Sequence, residues 1–410
     1  MKNEQQRMIS SKIINNSQMH PYNLIPYFLM FGFGLAFGIA AISYLKYCSF
    51  SLQLTQFFVP TLKPLPLPSS PFLLNPNNYS TALPAPEEAE AEAAAYSGRT
   101  GLKEFLKVPA SAMHDMEDHE LLWRASMVPR IRRYPFMRLP KVAFLFLTRG
   151  PLPMAPLWEM FFKGHEGLYS IYLHSHPSYN ESMPKTSVFY GRNIPSKVVK
   201  WGEFSMVAAE RRLLANAMLD VGNQRFVLLS ESCIPIFNFT TVYSYLMGSN
   251  KSFIEAYDAP GSVARGRYNP RMMPHIHVWQ WRKGSQWFEM DREVAVGVIS
   301  DHKYAYLFRR FCKPACYSDE HYIPTYVSVK LWERNSNRTV TWVDWSQTGP
   351  HPGKIGEKNV TAENLTRLRF GTECEYNGRK TNICYLFARK VMPNALEKLL
   401  RVAPTLLFFQ

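Results

Sequence analysis

The hydrophobic pattern divides the chain into three parts: one long uncharged run, a proline-broken stretch, and a region where short apolar runs alternate with helix-period segments. From Leu24 to Leu45 the sequence LIPYFLMFGFGLAFGIAAISYL carries no formal charge. As a helix it would extend about 33 Å at ~1.5 Å per residue, enough for a hydrocarbon core of ~30 Å. The length of this run, the segment ahead of it (1–23) and the lack of a small-x-small cleavage site favour an uncleaved anchor over a removable signal peptide. Lys2, Arg7 and Lys12 outweigh Glu4 on the short side, which predicts a cytosolic N-terminus and a lumenal remainder. Residues 46–118 read as a stem: Pro60, Pro64, Pro66, Pro68, Pro71, Pro76, Pro84 and Pro86 deny the backbone regular pairing, and EEAEAEAAA at 87–95 reads as a short solvated helix.

The compact domain is expected over 119–410. VAFLFLT (142–148), LYSIYLH (168–174) and RFVLLSE (225–231) are nearly unbroken apolar runs, as strands buried on both faces should be. Between them lie a helical stretch at 156–163 and a helix-period segment at 205–219. In the latter Met206, Ala209, Leu213 and Ala217 share a face and Glu210, Arg211 and Arg212 fall elsewhere. Strand–helix–strand alternation predicts an α/β domain with a mostly parallel central sheet and ligands at the carboxyl ends of its strands.

Composition adds little to this. Hydrophobic residues make up 46% and charged residues 19%, so a large core is affordable and wholesale disorder is excluded. The formal charge of +15 is spread along the chain without a run of five Lys/Arg, which argues against nucleic-acid binding. Sequons at Asn78, Asn180, Asn238, Asn250, Asn337, Asn359 and Asn364 suit a secretory-pathway chain. Beyond the anchor, Cys233, Cys312, Cys316, Cys374 and Cys384 permit two disulfides and one free thiol. Cys312–Cys316 and Cys374–Cys384 are candidate pairs, although sequence does not fix the pairing. Zinc held by Cys312, Cys316 and His321 is the weaker alternative.

Familiar catalytic signatures are missing: no phosphate loop, no G-x-G-x-x-G, no H-E-x-x-H, no G-x-S-x-G. No D-x-D occurs to hold a divalent metal on a nucleotide diphosphate. Glu289-Met290-Asp291 is a conceivable substitute, more simply read as the acidic start of a helix. His174 and His176 end the second apolar run, where a nucleotide could bind, but strand-end histidines are more often structural.

Six segments in order, KVAFLFLTRG, WGxxSMxxAERRLL, LLSESCIPI, GSQWF, SDEHY and DWS, resemble the core-2/I-branching β-1,6-N-acetylglucosaminyltransferase family and its plant relatives. The match runs from about Lys141 to about Leu400. It implies a GT-A-like nucleotide-sugar-binding fold, a UDP-sugar donor, a glycan or glycoprotein acceptor, no metal or other cofactor, and a single-pass Golgi membrane protein. By the same resemblance Glu320 in SDEH is the catalytic base. Lys390 contacts the donor diphosphate, with Arg367 or Arg369 as its partner. Glu255, Arg265 and Arg267 contact the acceptor, although the chain departs from the family around 258–280; Trp342, by its residue type alone, offers an apolar ring face to an acceptor sugar. The bland readings are a solvated carboxylate at Glu320, strand-edge lysine and arginines, and a core tryptophan at 342. A degenerate fold serving as a lumenal scaffold is the rival from another class.

Overall fold

The computed structural model describes residues 111–129, 134–313, 316–347, 349 and 351–409. The expected tail, anchor and almost all of the stem lie outside the described residues. Among those described, no helix is long and apolar enough to cross a membrane.

The elements follow in chain order as α1 (Asp118–Ala125), β1 (Lys141–Leu147), α2 (Ala155–Phe162), β2 (Tyr169–His174), α3 (Phe204–Met218) and β3 (Asn223–Ser230). Next come β4 (Ile234–Pro235), α4 (Phe239–Gly248), β5 (Glu289–Asp291), α5 (Arg292–Ser300), α6 (Lys303–Phe311), a 3-10 turn (Ser318–Glu320) and α7 (Tyr322–Lys330). The chain continues through β6 (Thr341–Val343), α8 (Ala362–Phe370), β7 (Cys374–Tyr376), β8 (Arg379–Thr381), β9 (Phe387–Arg389) and α9 (Leu396–Val402). The fold is mixed α/β. Its central sheet has the order β2-β1-β3-β5, with β2, β1 and β3 parallel and β5 antiparallel at one edge.

The unbroken apolar character of β1 has a direct cause. Phe144 and Phe146 turn to one face and meet Trp158 and Phe162 of α2, with ring centroids at 4.9 Å for Phe144–Phe162 and 5.2 Å for Phe146–Trp158. Strand alternation sends Ala143 and Leu145 to the other face, where α3 packs.

Helix α3 corrects an expectation. Glu210, Arg211 and Arg212 are buried, because α3 is covered by the sheet on one side and by α1, α5 and the Ser318–Glu320 turn on the other. Arg211 donates to the carbonyls of Ile299 and Asp301, satisfying the end of α5. Arg212 grips both oxygens of Asp118, at 2.8 and 2.7 Å, and Glu210 accepts from Gln286. Folded structure begins ahead of residue 119: Ala112 donates to the Gly191 carbonyl and His114 bonds Asn216.

A second, small sheet sets β9 between β4, antiparallel, and β6, parallel. Lys390 follows β9, its backbone held by the Ile355 N–H on its carbonyl and by the next residue, Val391, donating to the Ser232 carbonyl. Cys312–Cys316 and Cys374–Cys384 are disulfides and Cys233 is a buried free thiol. The first bond consumes both thiols of the zinc alternative, and Nδ1 of His321 instead meets the Arg282 carbonyl at 2.7 Å. Asp291 accepts from Val294 and caps α5, as an acidic helix start should, whereas Glu289 is fully buried beside Arg225. Segment 252–257 runs extended but pairs through single bridges, Ser252 with Asn335, Phe253 with Glu289 and Tyr257 with Lys283.

Candidate active site

Three chain segments converge on Glu320. It ends the Ser318–Glu320 turn, whose entry residue Tyr317 lies in the left-handed region at φ 55° beside the Cys312–Cys316 bond. The Glu320 carbonyl accepts the Gly284 N–H at 2.9 Å. Its Oε2 receives two charged donors, Nζ of Lys283 and Nη1 of Arg267, each at 2.7 Å. The Arg267 guanidinium in turn lies over the Tyr317 ring, 4.2 Å from its centroid. Burial pushes the Glu320 carboxyl up, but Lys283 and Arg267 push it down further, and it settles below the ordinary glutamate value. The site therefore presents an ionised, partly exposed carboxylate with Oε1 left to accept a proton.

Glu255 joins this cluster through its backbone. Tyr257 and Lys283 exchange hydrogen bonds at 2.7 and 2.9 Å, which brings segment 283–285 hard against Glu255. A Cβ on Gly284 would lie 1.8 Å from the Glu255 carbonyl oxygen, so only glycine fits there. The Glu255 carboxyl is raised by burial, partly offset by the Ser285 amide and by Lys283. Arg265 stands apart on the surface, with both guanidinium arms on Asp258. Trp342 is half-buried in β6 opposite Ala388.

The second group of cations lies at the carboxyl ends of the strands. Burial lowers the Lys390 ammonium, and the nearby charges of Arg389, Lys354 and Arg149 lower it further against the opposing pull of Glu231. Arg149 follows β1, Glu231 follows β3, and Arg389 closes β9 with its guanidinium over the Trp287 ring. Like charges crowded on one side chain are relieved when an anion binds among them, and carboxyl ends of parallel strands are where nucleotides bind. Arg367 and Arg369 lie on α8, and among the described residues neither bonds to Lys390. Arg367 is near Asp344, whose carboxyl it helps to lower after the Ser346 hydrogen bonds. Arg369 donates to the Leu406 carbonyl and packs on Phe237 and Phe370.

Of the expected histidines, His174 is buried. Its Nε2 takes Nη1 of Arg212 at 3.0 Å and the Lys197 N–H at 3.3 Å, and burial, then the Arg212 charge, lowers it to about 4. Among the described residues the His176 ring bonds Ser178 alone. Lys283, Arg149, Arg389 and Lys354 were not singled out from sequence. Lys283 directly precedes GSQWF, Arg149 directly follows the first apolar run and Arg389 directly precedes Lys390, so position alone distinguishes these three, whereas nothing distinguishes Lys354. Among the described residues no three His, Cys, Asp or Glu side chains gather to hold a metal ion.

The family model for Core-2/I-Branching enzyme matches residues 142–369, which includes the Glu320 cluster and stops before Lys390. A protein of Oryza sativa subsp. japonica described as Glycosyltransferase BC10 is 35% identical over 306 residues, 63% of this chain and 76% of the rice protein. With that match spanning the sheet, the Glu320 turn and α8, the chain belongs to the Core-2/I-Branching enzyme family and is a glycosyltransferase.

Proposed function

We propose that the protein is an inverting, metal-independent transferase that moves a sugar from a UDP-sugar to a hydroxyl of a glycan or glycoprotein in the Golgi lumen. The observation that carries this reading is the carboxylate of Glu320, kept ionised by Lys283 and Arg267 and still partly open to solvent. In the reaction the acceptor O–H gives its proton to Glu320 as the oxygen bonds the anomeric carbon. The bond from that carbon to the diphosphate oxygen breaks, and UDP leaves with the electron pair. Lys390, with Arg149, Lys354 and Arg389 around it, supplies the positive charge that receives the departing diphosphate. That charge, together with the missing D-x-D, supports a mechanism without a metal.

Glu255, Arg267 and Trp342 are assigned to the acceptor side, and Arg265 to its outer rim. Arg367 is assigned to the donor side through the 344–354 segment, and Arg369 to its support. N-acetylglucosamine is the first candidate sugar, with xylose and glucuronic acid as the others. The uncharged run 24–45 and the sequons support a lumenal, membrane-anchored protein. Of the sequons, Asn180, Asn250 and Asn359 are exposed, whereas the Asn337 side chain accepts the Ala256 N–H.

Isothermal titration with UDP in excess EDTA tests the donor half. Binding that survives the chelator supports the basic site, and binding that requires Mn²⁺ overturns metal independence. Glu320→Gln tests the acceptor half: turnover should fall about 10²–10⁴-fold with UDP affinity unchanged. Near-normal turnover in that variant removes Glu320 as the base.

A further inference from the structure

Behind Glu320 lies a second set of carboxyl groups that the transfer leaves unused. Asp319 occupies the buried side of the Ser318–Glu320 turn at 6% exposure, and Glu210, fully enclosed, approaches it from α3. Oε1 of Glu210 accepts from Nε2 of Gln286 at 3.0 Å. Oε2 of Glu210 and Oδ1 of Asp319 have no partner among the described residues. Enclosed carboxyls with unpartnered oxygens are unfavourable as charges, and a purely structural role would be filled better by an amide or an apolar side chain. Their place next to Glu320 gives them another use.

The two acids behave differently. Burial, then the charge of Asp319, drives Glu210 far up. Burial, then the charge of Glu320, lifts Asp319 to about 7, with Lys283 and Arg267 pulling the other way. The charged groups around Asp319 are Glu320 in its own turn, Lys283 from the segment before β5 and Arg267 from the 265–267 turn, and the titratable Glu210 faces it from α3. Helix α7, packed on the same turn, carries its single charged residue, Lys330, at the far end. The neighbouring His321 is neutral, lowered by burial to about 4.

We propose that Asp319 is a positioning residue for the transfer: from the buried side of the turn, and without touching substrate, its charge sets the basicity of Glu320. The inference rests on the reading of Glu320 as the base. While Asp319 holds its proton, Glu320 faces two cations with no opposing charge and is a weak base. When Asp319 ionises, the added negative charge raises the proton affinity of Glu320, and Lys283 and Arg267 still keep Glu320 ionised. Proton transfer in the rate-limiting step then quickens, by roughly threefold for each unit of added basicity.

The test is the pH dependence of kcat for the full chain at saturating donor and acceptor. The wild type should show, above the acid limb of Glu320, a second rise of roughly two- to fivefold centred near pH 7. Asp319→Asn should abolish that rise and hold kcat at the lower level, with donor and acceptor KM unchanged. Glu210→Gln should keep the rise. A rise that persists in Asp319→Asn, or a loss of kcat equal at every pH, overturns the proposal. If Asp319→Asn does not fold, ¹³C-carboxyl NMR of the unmodified protein decides. One aspartate must titrate near pH 7 while a glutamate signal shifts with the same midpoint, and absence of that pair also overturns it. Normal turnover in Glu320→Gln would instead mark failure of the underlying reading of the base.

Discussion

The ammonium of Lys283 and the carboxylate of Glu320 meet at 2.7 Å, and the residue after Lys283 donates its N–H to the Glu320 carbonyl. One short segment therefore fixes both the charge and the backbone position of Glu320. Lys283→Met removes a cation that lowers Glu320, so the acid limb of the pH–kcat profile should move upward. The check is kcat from pH 4 to 8. An unshifted limb would mean that Arg267 alone holds the carboxylate ionised.

The two groups of basic residues should separate in binding experiments. Lys390→Ala removes the centre of the cation cluster and should weaken UDP at least tenfold, on the scale of one lost charge-assisted hydrogen bond. Arg369→Ala removes the donor to Leu406 and the cover over Phe237, and should lower the melting temperature by several degrees. Calorimetric titration and thermal melting of both variants check the division.

Gly284→Ala should abolish turnover by about 10²-fold or more while leaving UDP affinity near normal. The added methyl would meet the Glu255 carbonyl oxygen at 1.8 Å and force the 283–285 segment away from the acceptor side. Equal loss of UDP binding would show that the strain reaches the strand ends.

Stability should fall as pH drops from about 6.5 towards 4. His174 and His321 are each lowered to about 4, chiefly by burial. The unfolded chain takes up protons at these residues from about pH 6.5, where the folded chain does not, and each residue contributes up to roughly 3 kcal/mol of the loss. Asp118 acts at lower pH. Burial raises it, Arg212 and Lys197 together lower it to about 2, and its contribution disappears between about pH 4 and 2. Denaturant melts at pH 7, 5.5 and 4.5, with His174→Gln for comparison, should show the first loss and its reduction in the variant.

Much of the fold was readable because its strands are buried on both faces. VAFLFLT and LYSIYLH are nearly unbroken apolar runs, and such runs have few other meanings once turn signals bound them. The interior of α3 was not readable in the same way. Arg211, Arg212 and Glu210 look solvent-facing until α1, α5 and the Glu320 turn supply their partners, and those partners lie up to 94 residues away. Family motifs pointed to Glu320. Lys283 and Arg267 became its partners only through folding, since segments 265–267, 283–285 and 318–320 share no local pattern that announces a contact.

The small sheet has a consequence for how the protein is made. Its central strand, β9, pairs with β4 at Ile234–Ala388, so β4 waits for a partner far downstream. At about 5–20 residues per second, the ribosome needs on the order of ten seconds to supply that partner. During this interval the β1–β3 core can form, but Lys390 has not been synthesised and the strand ends lack their central cation. A nascent chain released early would carry the Glu320 carboxylate without Lys390. It would also leave the edge of β4 unpaired.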